Sequence, residues 1–277
     1  MNIALAQINV HVGNFEANLA KMLDYTARAK AQGADIVVFP ELATVGYPPR
    51  DFLEFTDFID QAEKVMERLA AAAVGIAIVV GSVSRNPVVE GKDLYNSAYF
   101  LAGGRVQKVQ HKTLLPTYDI FDEYRYFEPA SEWGVVRYQD KTIALVVCED
   151  SWNVGNENPL YKINPMDRMM EYDPDLILNV SASPFAYDHA ADRIEVLRAN
   201  CARYNLPMYY VNHVGAQTEV LFDGGSIVLH ADGTVIDEMP YFEECLRIYN
   251  TEEVTGKDNV SGEQGKDKMT LIHDGII

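Results

Sequence analysis

Three reactive side chains stand where strand-like runs stop. Cys148 closes the apolar run 143–147 and is followed at once by Glu149 and Asp150. Glu41 follows Pro40, directly after the β-branched run Ile36-Val37-Val38-Phe39. Lys112 follows a strand-like stretch over 105–110. Ligand sites in α/β folds gather at the carboxyl ends of strands. Taken singly, each residue also has a plain reading: a small buried thiol, or a solvated charge at a loop start. Taken together, they form a candidate catalytic set. A thiol nucleophile needs a base, and a carboxylate in an apolar pocket gains basicity for that task. An ammonium nearby stabilises both thiolate and oxyanion.

Other chemistries find little support. The chain lacks G-x-x-x-x-G-K-[ST], G-x-G-x-x-G and H-E-x-x-H. It also lacks the G-x-S-x-G nucleophile elbow, so Ser181-Ala182-Ser183 reads as a polar turn lining a pocket. The six histidines show no metal-ligand spacing. Of the other cysteines, Cys201 falls in a helical pattern and Cys245 in a strand-like run, both as small buried hydrophobes.

The elements that must hold these residues alternate. Strands are predicted over 3–7, 36–39, 76–80, 95–101, 105–110, 141–148, 175–180, 207–211, 226–229 and 234–237. Helical spacing covers 15–32, 58–73 and 188–204, with Asn14 as an N-cap and Gly33 as a stop for the first. Gly103-Gly104 and Asp232-Gly233 mark tight turns. Short βα units mixed with hairpins imply layered α/β with mixed sheets. Polar composition over 251–268 reads as a linker. The apolar stretch 269–277 then reads as the opening of a further element, or as a tail docked on the core.

The 277 residues are 48% hydrophobic, too apolar for a disordered chain. Twenty-three basic against 41 acidic residues leave a net charge of −18, which argues against nucleic acid or an anionic membrane as partner. Three cysteines exclude a disulfide scaffold. No basic segment followed by a long apolar run opens the chain, so a cytoplasmic location is expected.

The blocks IALAQINVHVGNFEANL, GADIVVFPEL, HKTLLPTYDIFDEYRYFEP and TIALVVCEDSW resemble, in order and spacing, those of the nitrilase superfamily of carbon–nitrogen hydrolases. The resemblance runs from residue 1 to about 250. It implies an α/β four-layer α-β-β-α sandwich with two mixed β-sheets. It implies Cys148 as nucleophile, Glu41 as general base, Lys112 as stabiliser of the tetrahedral intermediate and Glu123 as a second glutamate positioning the lysine. Within the superfamily, FPELATVGYPPRDFL and the CEDSW block look like the glutaminase domains of glutamine-dependent NAD synthetases.

That resemblance implies L-glutamine as substrate and a C-terminal synthetase domain as partner. It also implies homo-oligomers, and substrate contacts from Tyr118, Glu149, Trp152 and Ser181. Glu149 and Asp150 are adverse neighbours for a thiolate, so Glu149 is expected to bind the substrate α-ammonium, pointing away from the sulfur. The S-G-G-x-D-S loop of the synthetase half is absent, so no cofactor is expected in this chain; ATP and magnesium belong to that other half. Where a cation for the α-carboxylate is expected, the chain reads Phe185-Ala186-Tyr187-Asp188-His189, and Arg193 is the nearest later candidate. Two rival readings are a stand-alone hydrolase of another amide or carbamoyl compound, and a silent scaffold that docks a synthetase. The reactive side chains at all three catalytic positions speak against the scaffold.

Overall fold

Strands that are apolar at every position need cover on both faces, and the fold supplies it. The computed structural model describes residues 1–186 and 189–255. Its elements are β1 (Asn2–Gln7), α1 (Phe15–Ala31), β2 (Ile36–Val38), α2 (Thr56–Ala72), β3 (Ala77–Arg85), β4 (Leu94–Ala102), β5 (Arg105–His111), α3 (Glu123–Tyr126), β6 (Val135–Tyr138), β7 (Lys141–Val147), α4 (Pro165–Met170), β8 (Leu176–Val180), α5 (His189–Tyr204), β9 (Met208–Val211), β10 (Val214–Gln217), β11 (Val220–Asp223), β12 (Ile227–Leu229), β13 (Val235–Glu238), β14 (Cys245–Asn250) and α6 (Thr251–Thr255).

Two six-stranded mixed sheets carry the molecule, in the orders β14-β1-β2-β3-β4-β5 and β13-β12-β9-β8-β7-β6. Each has a parallel core, β1-β2-β3 in one and β7-β8-β9 in the other, flanked by antiparallel strands. Side chains alternate across each strand. Ile3 and Leu5 of β1 meet Ile143, Leu145 and Val147 of β7 in the interior between the sheets. Ala4 and Ala6 of β1 face outward and pack with Leu19, Met22, Val65 and Leu69 of α1 and α2. Ala144 and Val146 of β7 pack likewise with Met166 and Met169 of α4 and Leu197 and Cys201 of α5. Helices on both outer faces and sheets face to face make the expected four-layer α-β-β-α sandwich.

Sequence and structure differ in a few places. Asn14 precedes α1 but makes no side-chain cap hydrogen bond. Strand β3 runs on to Arg85, because β4 pairs with it antiparallel along that whole stretch. The short β6, the hairpin β10–β11 and the short α4 are additions that local periodicity does not signal. The polar segment expected from residue 251 begins inside the folded body. Thr251–Thr255 is the helix α6, and Val254 is buried in the inter-sheet core. Residues 256–277, which hold the rest of that segment and the apolar stretch 269–277, lie outside the described residues.

Candidate active site

Both parallel cores deliver their strand ends to one place. Beyond β2, the backbone is pinned to β3 through Phe39 N–H to Val79 O (2.8 Å) and Gly81 N–H to Pro40 O (3.1 Å). Glu41 then emerges fully buried. Its backbone N–H donates to Ser181 O (3.4 Å), and its backbone carbonyl accepts from His213 Nε2 (2.6 Å). That carbonyl can only accept, so Nε2 carries the imidazole proton. The residues after β2, β8 and β9 thus lock together across the sandwich.

Glu41 Oε1 accepts from Lys112 Nζ (2.7 Å) and Asn96 Nδ2 (2.7 Å). Oε2 accepts from Ala182 N–H (2.9 Å). Lys112, 1% exposed, also donates to Glu123 Oε1 (2.8 Å). Glu123 Oε1 takes a second bond from Tyr47 Oη (2.8 Å). Burial opposes charge on the lysine, but the Glu123 and Glu41 carboxylates outweigh it and hold the ammonium well above its ordinary pKa. Burial likewise pushes the Glu123 carboxyl upward, with Lys112 opposing. One ammonium between two carboxylates is a compact proton-handling unit.

Cys148 opens the 3-10 turn Cys148–Ser151 that follows β7, with a left-handed φ of 42°. This conformation is uncommon for a residue with a Cβ and marks a constrained position. The Cys148 N–H donates to Asn179 Oδ1 (3.1 Å), and its carbonyl accepts from Ser151 Oγ (2.9 Å). Burial pushes the thiol well above its ordinary pKa; the Glu41 charge raises it further, while Lys112 and the Ala182 N–H oppose. Cys148 therefore rests as a neutral thiol.

Glu149, 4% exposed, accepts from Tyr118 Oη (3.0 Å) and Tyr161 Oη (2.5 Å). Asp150 turns away and accepts from Thr113 N–H (2.9 Å) and Leu114 N–H (2.7 Å), which ties the loop after Lys112 to the loop after Cys148. Trp152 is half-buried and closes the turn through its N–H to Glu149 O (2.8 Å). The Ser181 hydroxyl donates to Asn179 Oδ1 (2.9 Å), so it sits behind the nucleophile as part of its support.

Glu41, Lys112, Glu123 and Cys148, the four residues expected to be catalytic, are thus gathered in one buried cluster, with Tyr118, Glu149, Trp152 and Ser181 around it. Arg193 departs from expectation. It is 2% exposed and forms a two-pronged pair with Asp223 (3.1 and 3.0 Å), so its charge is already matched and it does not present a free cation for a substrate carboxylate. Residues 187–188 of the neighbouring loop lie outside the described residues. Reading the sequence missed Asn96, Asn179, Tyr47, Tyr161 and His213. Asn96 and Asn179 carried a usable signal. Each is the single amide of a largely buried strand, where a buried polar group needs partners.

Residues 2–252 match the carbon-nitrogen hydrolase family. The chain belongs to that family. Curated relatives of this carbon–nitrogen hydrolase include the glutamine-dependent NAD(+) synthetase of Synechocystis sp., 36% identical over 261 residues, covering 92% of this chain and 47% of the relative. The synthetase of Thermotoga maritima is 34% identical over 246 residues, covering 88% of this chain and 41% of the relative. The chain spans about half the length of the curated relatives it matches.

Among solved structures, the glutamine-dependent NAD+ synthetase of Acinetobacter baumannii superposes with a TM-score of 0.86 at 30% identity, covering 99% of this chain and 50% of that one. A nitrilase-superfamily amidase from Nesterenkonia sp. superposes with a TM-score of 0.76 at 25% identity, covering 90% of this chain and 89% of that one. In that structure, a glutamate-to-glutamine variant, the acetamide moiety of fluoroacetamide is added covalently at the active-site cysteine. Among the described residues of this hydrolase, no helix is long and apolar enough to cross a membrane.

Proposed function

We propose that this hydrolase is a glutamine amidohydrolase that supplies ammonia to a synthetase domain for amidation of deamido-NAD. The observation that carries the chemistry is the buried contact of Lys112 Nζ with both Glu41 (2.7 Å) and Glu123 (2.8 Å) beside the Cys148 thiol. Glu41 takes the thiol proton as sulfur attacks the side-chain amide carbon. Lys112 and the Glu149 N–H stabilise the oxyanion. The C–N bond breaks, Glu41 returns the proton to the leaving nitrogen, and a γ-glutamyl thioester remains. Water deprotonated by Glu41 then attacks the thioester, releasing glutamate and restoring the thiol.

Glutamine as substrate is supported by the relatives and by the Glu149 carboxylate. Two tyrosine hydroxyls orient it, and it is suited to an α-ammonium. By the same resemblance, the synthetase domain is the partner and the assembly is homo-oligomeric; a thiol nucleophile fits a reducing, cytoplasmic setting. A stand-alone amidase is the second reading, favoured by the near full-length match to the Nesterenkonia enzyme.

Ammonia release from glutamine, asparagine, nicotinamide and a carbamoyl compound tests the proposal. Glutamine should give the highest kcat/KM by at least tenfold. A better rate with any of the others overturns the assignment in favour of the stand-alone reading.

A further inference from the structure

Within the cluster around Glu41, the Asn96 Oδ1 atom is buried with no hydrogen-bond partner. Asn96 itself is fully buried on β4. Its backbone carbonyl accepts the Lys112 N–H (2.8 Å), and its Nδ2 donates to Glu41 Oε1 (2.7 Å) and reaches Glu123 Oε2 (3.4 Å). The orientation of the amide is forced. Turned over, Oδ1 would face two carboxylates with no proton to receive. A buried carbonyl without a donor is destabilising. The fold keeps one here, beside the base, and gains an uncharged donor between two acids.

We propose that Asn96 is a positioning residue for the reaction, fixing the orientation of the Glu41 carboxylate and reserving its Oε2 for the thiol proton. A carboxylate offers about four acceptor sites. Lys112 and Asn96 occupy the two on Oε1, and Ala182 N–H occupies one on Oε2. The site left over is on Oε2, the oxygen already held by Ala182 N–H. An uncharged donor suits this role. A second cation would weaken the base, and a third acid would force a proton onto the cluster.

The inference rests on Glu41 being the base, but not on glutamine being the substrate. The test therefore uses two readouts on the full chain. One is kcat/KM against pH with the amide that turns over fastest. The other is the rate of Cys148 alkylation by iodoacetamide against pH, which needs no substrate. In Asn96→Asp and Asn96→Ala, the acid limb of both profiles should move up by about one pH unit or more, since a lost donor favours the protonated carboxyl. The loss should appear in kcat, with KM changed less than twofold.

Acid limbs that stay at the wild-type pH overturn the proposal, whatever the change in rate. If Asn96→Asp does not fold, Asn96→Ala carries the test. If neither gives a cooperative melt, Asn96 is a folding residue and the proposal falls. Absence of glutamine turnover with a shifted alkylation profile would refute the substrate assignment while leaving the role of Asn96 standing.

Discussion

Gly81 lies flat against the backbone of Glu41: a Cβ at residue 81 would sit 2.4 Å from Glu41 Cα and 2.3 Å from Leu42 N. Backbone cannot yield as a flexible side chain does. Gly81→Ala should therefore displace the base, at a cost of about 1–3 kcal/mol in stability. Activity should fall by about a hundredfold, the usual effect of roughly 1 Å of misplacement. Urea denaturation and ammonia release check this together, and a variant with wild-type kcat would refute the close-approach argument.

Cys148→Ala should lower ammonia release by at least about a thousandfold, because no thioester forms. Circular dichroism and the thermal midpoint should stay near wild type. Residual turnover above one per cent would show that another group performs the attack.

Tyr161 and Tyr118 both donate to Glu149, so under the proposed function all three govern how the α-ammonium is met. Glu149→Gln should raise KM for glutamine by about 10–100-fold, the worth of a charge-assisted hydrogen bond. Tyr161→Phe should raise it by about two- to tenfold. Turnover of an amide without an ammonium, such as propionamide, should barely change. Equal losses on both substrates would assign these residues to the fold.

His213 is buried, and burial holds its pKa down to about 4 against the opposing bond to the Glu41 carbonyl. The unfolded chain takes up that proton near the ordinary value of about 6.5. Between these values the unfolded state binds more protons, so stability is complete above about pH 6.5 and is lost as pH falls toward 4. His213 alone accounts for about 3 kcal/mol. Urea midpoints against pH should show a shallower acid slope for His213→Gln than for wild type; parallel slopes would exclude this source.

What reads well from sequence is what local periodicity encodes. The runs 141–148 and 175–180 announce β7 and β8 because both their faces are covered, so apolar residues fill most of each run. Glu41, Lys112 and Cys148 stand out because a strand end is a place as well as a composition. The amides Asn96 and Asn179, and the phenols Tyr47 and Tyr161, are harder to find. Their partners lie in other elements: Asn96 meets Glu41 55 residues away, and Tyr47 meets Glu123 76 residues away. Arg193 shows the opposite error. A cation near the right loop looked available, and its neutralising partner Asp223 comes from a hairpin that periodicity does not reveal.

Cys148 hangs from one sheet, while Glu41 and Lys112 hang from the other. The proposed proton transfer therefore crosses the seam of the sandwich, and the apolar filling between the sheets acts as its gauge block. Leu5, Val38, Leu145 and Leu178 never touch a substrate, yet their summed width sets how far sulfur must reach for its proton acceptor. A methylene added or removed in the interior between the sheets therefore changes that spacing as well as the stability of the core.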